Sequence, residues 1–204
     1  MFDRIALKIT KPLINAMAER LVSRGFSADQ ITFTAFGLGL ASALMIGFGF
    51  TKLALIPLLA GRILDGLDGA VARLDQPSDV GAFLDITLDF LFYASIPLAF
   101  VLSGPAENAV AGAVLLVGFI GTGTSFLAYA IMAEKRGEKN QASAAKSFYY
   151  LGGLTEGTET IACFAAMCWW PQHFAALAYF YAALCGVTTL TRVMAGWRQT
   201  VTNS

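Results

Sequence analysis

The stretch LALIPLLAGRILDGLDGAVARLDQPSDVGAFLDITLDFLFYASIPLAFVL, residues 53–102, sets two opposed demands side by side. Its flanks are apolar enough for the interior of a bilayer, yet Asp65, Asp68, Asp85 and Asp89 stand within the same runs. An aspartate near the centre of a membrane span costs about 2.5–3.5 kcal/mol on insertion scales, so each needs a compensating partner. Asp75 and Asp79 lie between the runs, and Arg62 and Arg73 are the nearby cations. Two guanidinium groups cannot neutralise four deep carboxylates, whereas a bound divalent metal can.

The spacing supports that reading. Asp65 and Asp68 are three residues apart and Asp85 and Asp89 four apart, so each pair shares one helix face. The short connection predicts antiparallel neighbouring helices whose acidic faces meet. Converging carboxylates repel one another unless cations intervene. Hard oxygen donors without Cys or His point to Mg²⁺, Mn²⁺ or Ca²⁺, and paired ions are the usual device for phosphoryl chemistry. Gly66, Gly69, Ala70 and Ala72 remove bulk from the acidic face of the first helix, and Gly81 does so on the second. Close helix packing would use the same small residues. Arg73 lies one to two turns beyond Asp68, placed either to grip a phosphate oxygen or to anchor the helix end.

Outward from this stretch the whole chain fits a bilayer. Of its 204 residues, 56% are hydrophobic and 14% are charged, against about 25% charged in soluble domains. The 14 basic and 14 acidic residues balance, which gives no electrostatic basis for a nucleic-acid partner. Six apolar spans are expected, at about 31–50, 53–74, 79–102, 108–133, 147–170 and 173–195. Ser27 with Gln30 forms a capping box just before the first of them. Residues 1–25 read as an amphipathic helix, with Ile5, Ala6, Ile9, Leu13, Ile14 and Met17 on one side and Pro12 as a possible break. Such a helix lies along the interface or docks on the protein's own core. The expected fold is therefore an all-α integral membrane protein: an amphipathic segment, 1–25, and a six-helix domain, 26–198.

Charge asymmetry orients it. Arg4, Lys8, Lys11, Arg20, Arg24, Arg73, Lys135, Arg136, Lys139, Lys146, Arg192 and Arg198 fall on one side of the six spans, and Lys52 on the other. The positive-inside rule puts both termini, and the ends of spans two and three that carry Arg73, in the cytoplasm. No signal peptide is visible. Cys163, Cys168 and Cys185 sit in apolar runs and read as inert thiols, and the lone His173 argues against zinc or a histidine dyad.

The segment Asp65-Gly66-Leu67-Asp68-Gly69-Ala70-Val71-Ala72-Arg73, followed after seven residues by Gly81-Ala82-Phe83-Leu84-Asp85-Ile86-Thr87-Leu88-Asp89, resembles the CDP-alcohol phosphatidyltransferase signature, DxxDGxxAR and then GxxxDxxxD. The chain as a whole looks like a bacterial inner-membrane subgroup of that family. The resemblance implies that Asp65, Asp68 and Asp85 hold two divalent ions, Mg²⁺ or Mn²⁺. Asp89 would touch one ion and act as general base. Asp65, Gly69, Ala72 and Arg73 would border the CDP moiety, with Gly81 giving it room. The implied reaction is attack of an acceptor hydroxyl on the lipid-side phosphorus of CDP-diacylglycerol, with release of CMP, in phospholipid biosynthesis. A homodimer is a further implication.

The acceptor is less legible. Lys135, Arg136, Lys146, Glu156, Glu159 and Arg192 are the candidates to bind it, and glycerol 3-phosphate or another small polyol is the expected acceptor. Members that use phosphorylated acceptors usually carry extra basic residues in span five, and here that stretch has Lys146 but no Arg near Glu159. Glu156 and Glu159 would share a helix face within the membrane, binding acceptor hydroxyls or pairing with Arg192 or Lys146. Intramembrane acids also mark transport paths, so a transporter of cations or metabolites is the alternative. Against it, the two halves of the chain show no sign of a repeat.

Overall fold

Ser27 opens the first apolar helix through the expected reciprocal cap: its hydroxyl accepts from the Gln30 amide at 3.3 Å, and its own amide donates to Gln30 Oε1 at 3.2 Å. The computed structural model describes residues 3–75, 77–135 and 154–202, and their regular structure is helical throughout. In chain order the helices are α1 (Asp3–Ser23), α2 (Ala28–Gly47), α3 (Thr51–Leu74), α4 (Asp79–Ser103), α5 (Pro105–Lys135), α6 (Gly157–Trp169) and α7 (Phe174–Thr202). A 3₁₀ turn, Pro171–His173, joins α6 to α7. Pro12 neither breaks nor divides α1, which runs through it.

Four helical segments are long and apolar enough to cross a membrane: Ala28–Gly47, Asp79–Ser103, Pro105–Lys135 and Pro171–Arg198. The expected six spans are met only in part. α3 has 24 residues, a spanning length, but Arg62, Asp65, Asp68 and Arg73 lower its hydropathy. α6 has 13 residues, about 20 Å of rise against about 30 Å of hydrocarbon. The start of the expected fifth span, 147–153, lies outside the described residues, as do Arg136 and Lys146 in the connection before it.

α2 is the backing of the acidic site, because it packs closely on both α3 and α4 while those two scarcely approach each other. The acidic faces of α3 and α4 meet through their side chains, with little close approach of the two backbones. Small residues let α2 serve both neighbours. On α3, a Cβ at Gly61 would lie 3.0 Å from the Ala35 carbonyl oxygen of α2, and one at Gly39 of α2 would lie 2.5 Å from Phe92 Cδ2 of α4. Phe92 is fully buried and shares the core with Phe164, Ile96, Leu58, Leu115 and Met167. Its ring meets that of Phe164 edge-on at 6.1 Å.

A second, smaller cluster holds α1 to α3. Ala18 is fully buried with Ile31, Leu67, Ala70 and Val71, and Ile14 and Met17 pack on them. Leu13, expected on the same side as Ile14, is 65% exposed. The outward faces of the long helices carry exposed Leu44, Ile56, Leu102, Val117, Ile120 and Phe180. Such continuous apolar exposure suits a lipid solvent and is rare on water-soluble monomers.

Gly39→Val should overpack the α2–α4 contact, because Phe92 has no free space to yield. The expected cost is about 1–3 kcal/mol, or a Tm lower by about 2–12 °C for the detergent-purified protein. An unchanged Tm would show that Phe92 is not the fixed wall described here.

Candidate active site

Three of the four predicted carboxylates converge. Asp65 and Asp68 project from α3 and Asp85 from α4, and one oxygen of each lies within 4.8 Å of the other two. Asp68 is buried, and the Thr32 hydroxyl of α2 donates to its Oδ2 at 2.6 Å. Thr32 can do this because α2 backs both acidic helices. An octahedral Mg²⁺-type ion with bonds of about 2.1 Å places its donor oxygens about 3–4 Å apart. Hard oxygen donors from two helices, one of them oriented by a hydroxyl, fit such an ion.

Asp89 is not one of these three, and it faces Asp65 across the Arg62 guanidinium. Arg62 Nη1 donates to Asp89 Oδ1 at 2.5 Å, and its Nη2 lies 3.3 Å from Asp65 Oδ1. Arg62 precedes Asp65 by three residues and so emerges on the same face of α3. Its guanidinium stacks over the Phe92 ring, with Cζ 4.0 Å from the centroid. Phe92 follows Asp89 by three residues on α4, so one turn of each helix completes the arrangement.

Beside the carboxylates a cavity of about 320 Å³ opens between the starts of α2 and α4 and the end of α3. Asp68, Gly69, Ala72 and Arg73 line it from α3, and Gly81 and Asp85 from α4. The other expected nucleotide contact, Asp65, is not in that lining; it faces Arg62 instead. Gly81 sits in a tight place, since a Cβ there would lie 3.1 Å from both Asp29 Oδ1 and Ser78 Oγ. Ser78 caps α4, its hydroxyl accepting from the Gly81 amide at 2.9 Å. Ala70, expected on the acidic face, is buried in the α1–α3 cluster, and Gly66 faces Ile14 of α1. Both serve helix packing rather than ligand space.

Sequence reading missed Thr32, Asp29 and the role of Arg62. Arg62 carried a signal, being a cation one turn before Asp65. Nothing local marks Thr32, which reaches Asp68 only through the packing of α2 on α3.

The proposed acceptor residues are more scattered. Lys135 ends α5 and is exposed, while Arg136 and Lys146 lie outside the described residues. Glu156 is not on a helix face with Glu159: it precedes α6 as its cap, with extended backbone, and Glu159 falls in the first turn. Arg192 of α7 is buried, donates from Nη1 to the Thr122 carbonyl at 3.0 Å, and stands 5.7 Å from the Phe126 ring. The Glu156 carboxylate acts electrostatically on that guanidinium, as one of the sequence alternatives required. Thr122, Thr124 and Ser125 turn their hydroxyls back onto α5 carbonyls.

Comparison with known proteins bears on the whole chain. Residues 26–202 match the family model described as CDP-alcohol phosphatidyltransferase. The chain is 48% identical over 197 residues to the inner membrane protein YnjF of Escherichia coli (strain K12), covering 97% of this chain and 96% of that one. It is 36% identical over 105 residues to the archaetidylinositol phosphate synthase of Pyrococcus horikoshii, covering 51% and 55% of the two chains. In fold it resembles the Mycobacterium tuberculosis phosphatidylinositol phosphate synthase crystallised with CDP-DAG bound, with a TM-score of 0.71 at 19% identity, covering 91% and 94%. The same enzyme in complex with manganese and citrate gives a TM-score of 0.69 at 20% identity, covering 90% and 88%. With the family model matching most of its length and six of the eight signature residues lining one cavity, the chain belongs to the CDP-alcohol phosphatidyltransferase family.

Proposed function

We propose that this enzyme transfers a phosphatidyl group from CDP-diacylglycerol to the hydroxyl of a small polar acceptor, releasing CMP, as a step of phospholipid synthesis in the bacterial inner membrane. The observation that carries the reading is the three-carboxylate group of Asp65, Asp68 and Asp85 beside a cavity lined by Gly69, Ala72, Arg73 and Gly81. Membership of an enzyme family decides between the transferase and transporter readings.

In this proposal Asp65, Asp68 and Asp85 hold divalent metal, Mg²⁺ or Mn²⁺, which when bound neutralises charge on the diphosphate. Arg73, exposed at the cavity mouth, pairs with phosphate oxygens, and Gly69 and Gly81 leave room for the nucleotide. Asp89 takes the proton of the acceptor hydroxyl. Arg62 occupies its Oδ1, so Oδ2 is the atom proposed for the proton. The acceptor oxygen then bonds to the lipid-side phosphorus while the bond from that phosphorus to the CMP oxygen breaks. Positioning and charge stabilisation suffice for such a transfer, without a covalent enzyme intermediate.

The manganese-containing and CDP-DAG-containing relatives support this reading of metal and donor. The inner-membrane relative supports the location. The proposed topology has six crossings, counting α3 and α6 beside the four long apolar helices, and the distribution of Lys and Arg favours cytoplasmic termini and a cytoplasmic site. Arg192, held against Thr122, and Glu156 beside it are the proposed acceptor-recognition pair, with Lys135 at the exposed end of α5. Glycerol 3-phosphate and other small polyols are the acceptors to try first.

The test is CMP release from CDP-diacylglycerol by the purified protein with Mg²⁺ or Mn²⁺ across an acceptor panel. Metal-dependent release stimulated by one acceptor is expected, with kcat lowered about 10²–10⁴-fold by Asp89→Asn. Release that ignores both metal and Asp89 would overturn the assignment. Thr32→Val removes the donor to Asp68 and should weaken Mn²⁺ affinity about 10–100-fold with little change in Tm. Cysteine placed at Asp79 should label only from the cytoplasmic side; labelling from the periplasm would reverse the topology.

A further inference from the structure

α7 grips the start of α6 at two heights, and Glu156 lies between them. Tyr181, Thr188 and Arg192 follow one another by seven and four residues, so they share one face of α7. Inside α6, the Thr160 hydroxyl lies 2.7 Å from the Tyr181 hydroxyl. Ahead of α6, the buried Thr188 hydroxyl accepts from the Leu154 amide and from the Thr155 hydroxyl, both at 3.1 Å. On its helical side Glu156 is secured by its own carbonyl, which accepts from the Thr160 amide at 3.0 Å and the Thr160 hydroxyl at 2.8 Å. Leu154 and Thr155 are not helical, so Thr188 supplies bonds that a helix would otherwise supply. We infer that Thr188 is a positioning residue for acceptor recognition: by tying Leu154 and Thr155 to α7, it sets Glu156 against Arg192, one helical turn further along. This rests on the proposed reading of Arg192 and Glu156 as the acceptor pair.

Of the two members of that pair, Glu156 is the one whose place depends on the tie. Arg192 is held from the opposite side, by the Thr122 carbonyl at 3.0 Å and the Phe126 ring, both on α5. The Glu156 carboxylate makes no capping bond to α6, and the residue has extended backbone, φ −94° and ψ −178°. Its direction therefore follows the backbone of the two residues before it. A rotation at Leu154 or Thr155 would turn the carboxylate away from the guanidinium on which it acts. The tie needs a hydroxyl at position 188, because it accepts two hydrogen bonds. Valine has the same shape and accepts none, whereas serine keeps the oxygen. A displacement of about 1 Å in a group that orients a substrate can cost about 100-fold, so the loss is expected in acceptor use and not in donor binding.

The test compares Thr188→Val and Thr188→Ser in the full-length detergent-solubilised protein. CMP release is measured with the panel compound that stimulates it, starting from glycerol 3-phosphate, and amide hydrogen exchange is followed across residues 154–160. Thr188→Val should raise KM for that acceptor about 10–100-fold, with kcat and KM for CDP-diacylglycerol within about 2-fold of wild type. It should also speed exchange before Gly157, and Thr188→Ser should restore both. An unchanged acceptor KM in a Thr188→Val protein that retains its Tm would overturn the inference. So would an equal rise in KM for the donor, or failure of Thr188→Ser to restore the acceptor KM. A Leu154 amide that exchanges in wild type at the rate of an unprotected amide would overturn it whether or not the variants fold. An acceptor KM indifferent to Arg192→Gln and Glu156→Gln, or a panel in which no compound stimulates release, would instead overturn the acceptor reading beneath it.

Discussion

Carboxylates packed into apolar helices can persist only where cations or donors meet them, and that constraint shapes the centre of this fold. Asp68 is met by the Thr32 hydroxyl, and Asp89 and Asp65 by Arg62. Asp85, the exposed member of the converging three, faces the cavity. The residual negative charge is thus concentrated at one end of the α3–α4 gap, beside the space a diphosphate would enter. Burial raises the cost of each unpaired charge, so the helices cannot close that gap without leaving carboxylates against one another.

The gap needs a scaffold that does not depend on α3–α4 packing, and α2 supplies it. Gly61 and Gly39 bring α2 against α3 and α4 in turn, and Phe92 locks the second contact. Phe92 also forms the floor under the Arg62 guanidinium, so the aromatic core and the acidic site share one side chain. Packing and electrostatics are coupled there: displacing the ring would loosen the cation that holds Asp89. On the far side of α3, the α1 cluster built on Ala18, Leu67 and Val71 fixes the helix's rotation, and with it the direction of its acidic face.

The second half of the chain is organised by a different buried cation. Arg192 sits at the α5–α7 contact, satisfied by the Thr122 carbonyl and flanked by Phe126. Thr188 of α7 takes the Leu154 amide and the Thr155 hydroxyl, both at 3.1 Å, which ties the segment before α6 to the bundle. That tie positions Glu156 as a cap near Arg192 instead of as a helix-face residue. The specificity proposed for the acceptor therefore depends on how a non-helical turn meets α7.

The sequence by itself determined the all-helical membrane character, the capping box, the acidic faces that bring Asp65, Asp68 and Asp85 together, and the small residue at position 81. Each is local: hydropathy, helical periodicity and the steric demand of a motif are written within a few residues of one another. It also supported the family, because the signature's spacing places its residues on facing helices without further information. Only the tertiary structure decided that Asp89 belongs to Arg62 and that Ala70 is packing. The same holds for Thr32 orienting Asp68, and for Asp65 sharing the Arg62 guanidinium with Asp89. Those outcomes depend on helix rotation and on α2 standing behind both acidic helices, quantities set by side-chain packing between segments distant in sequence. The expectation for Glu156 failed because α6 begins one residue after it, and the segment before that start is tied to Thr188, more than thirty residues away.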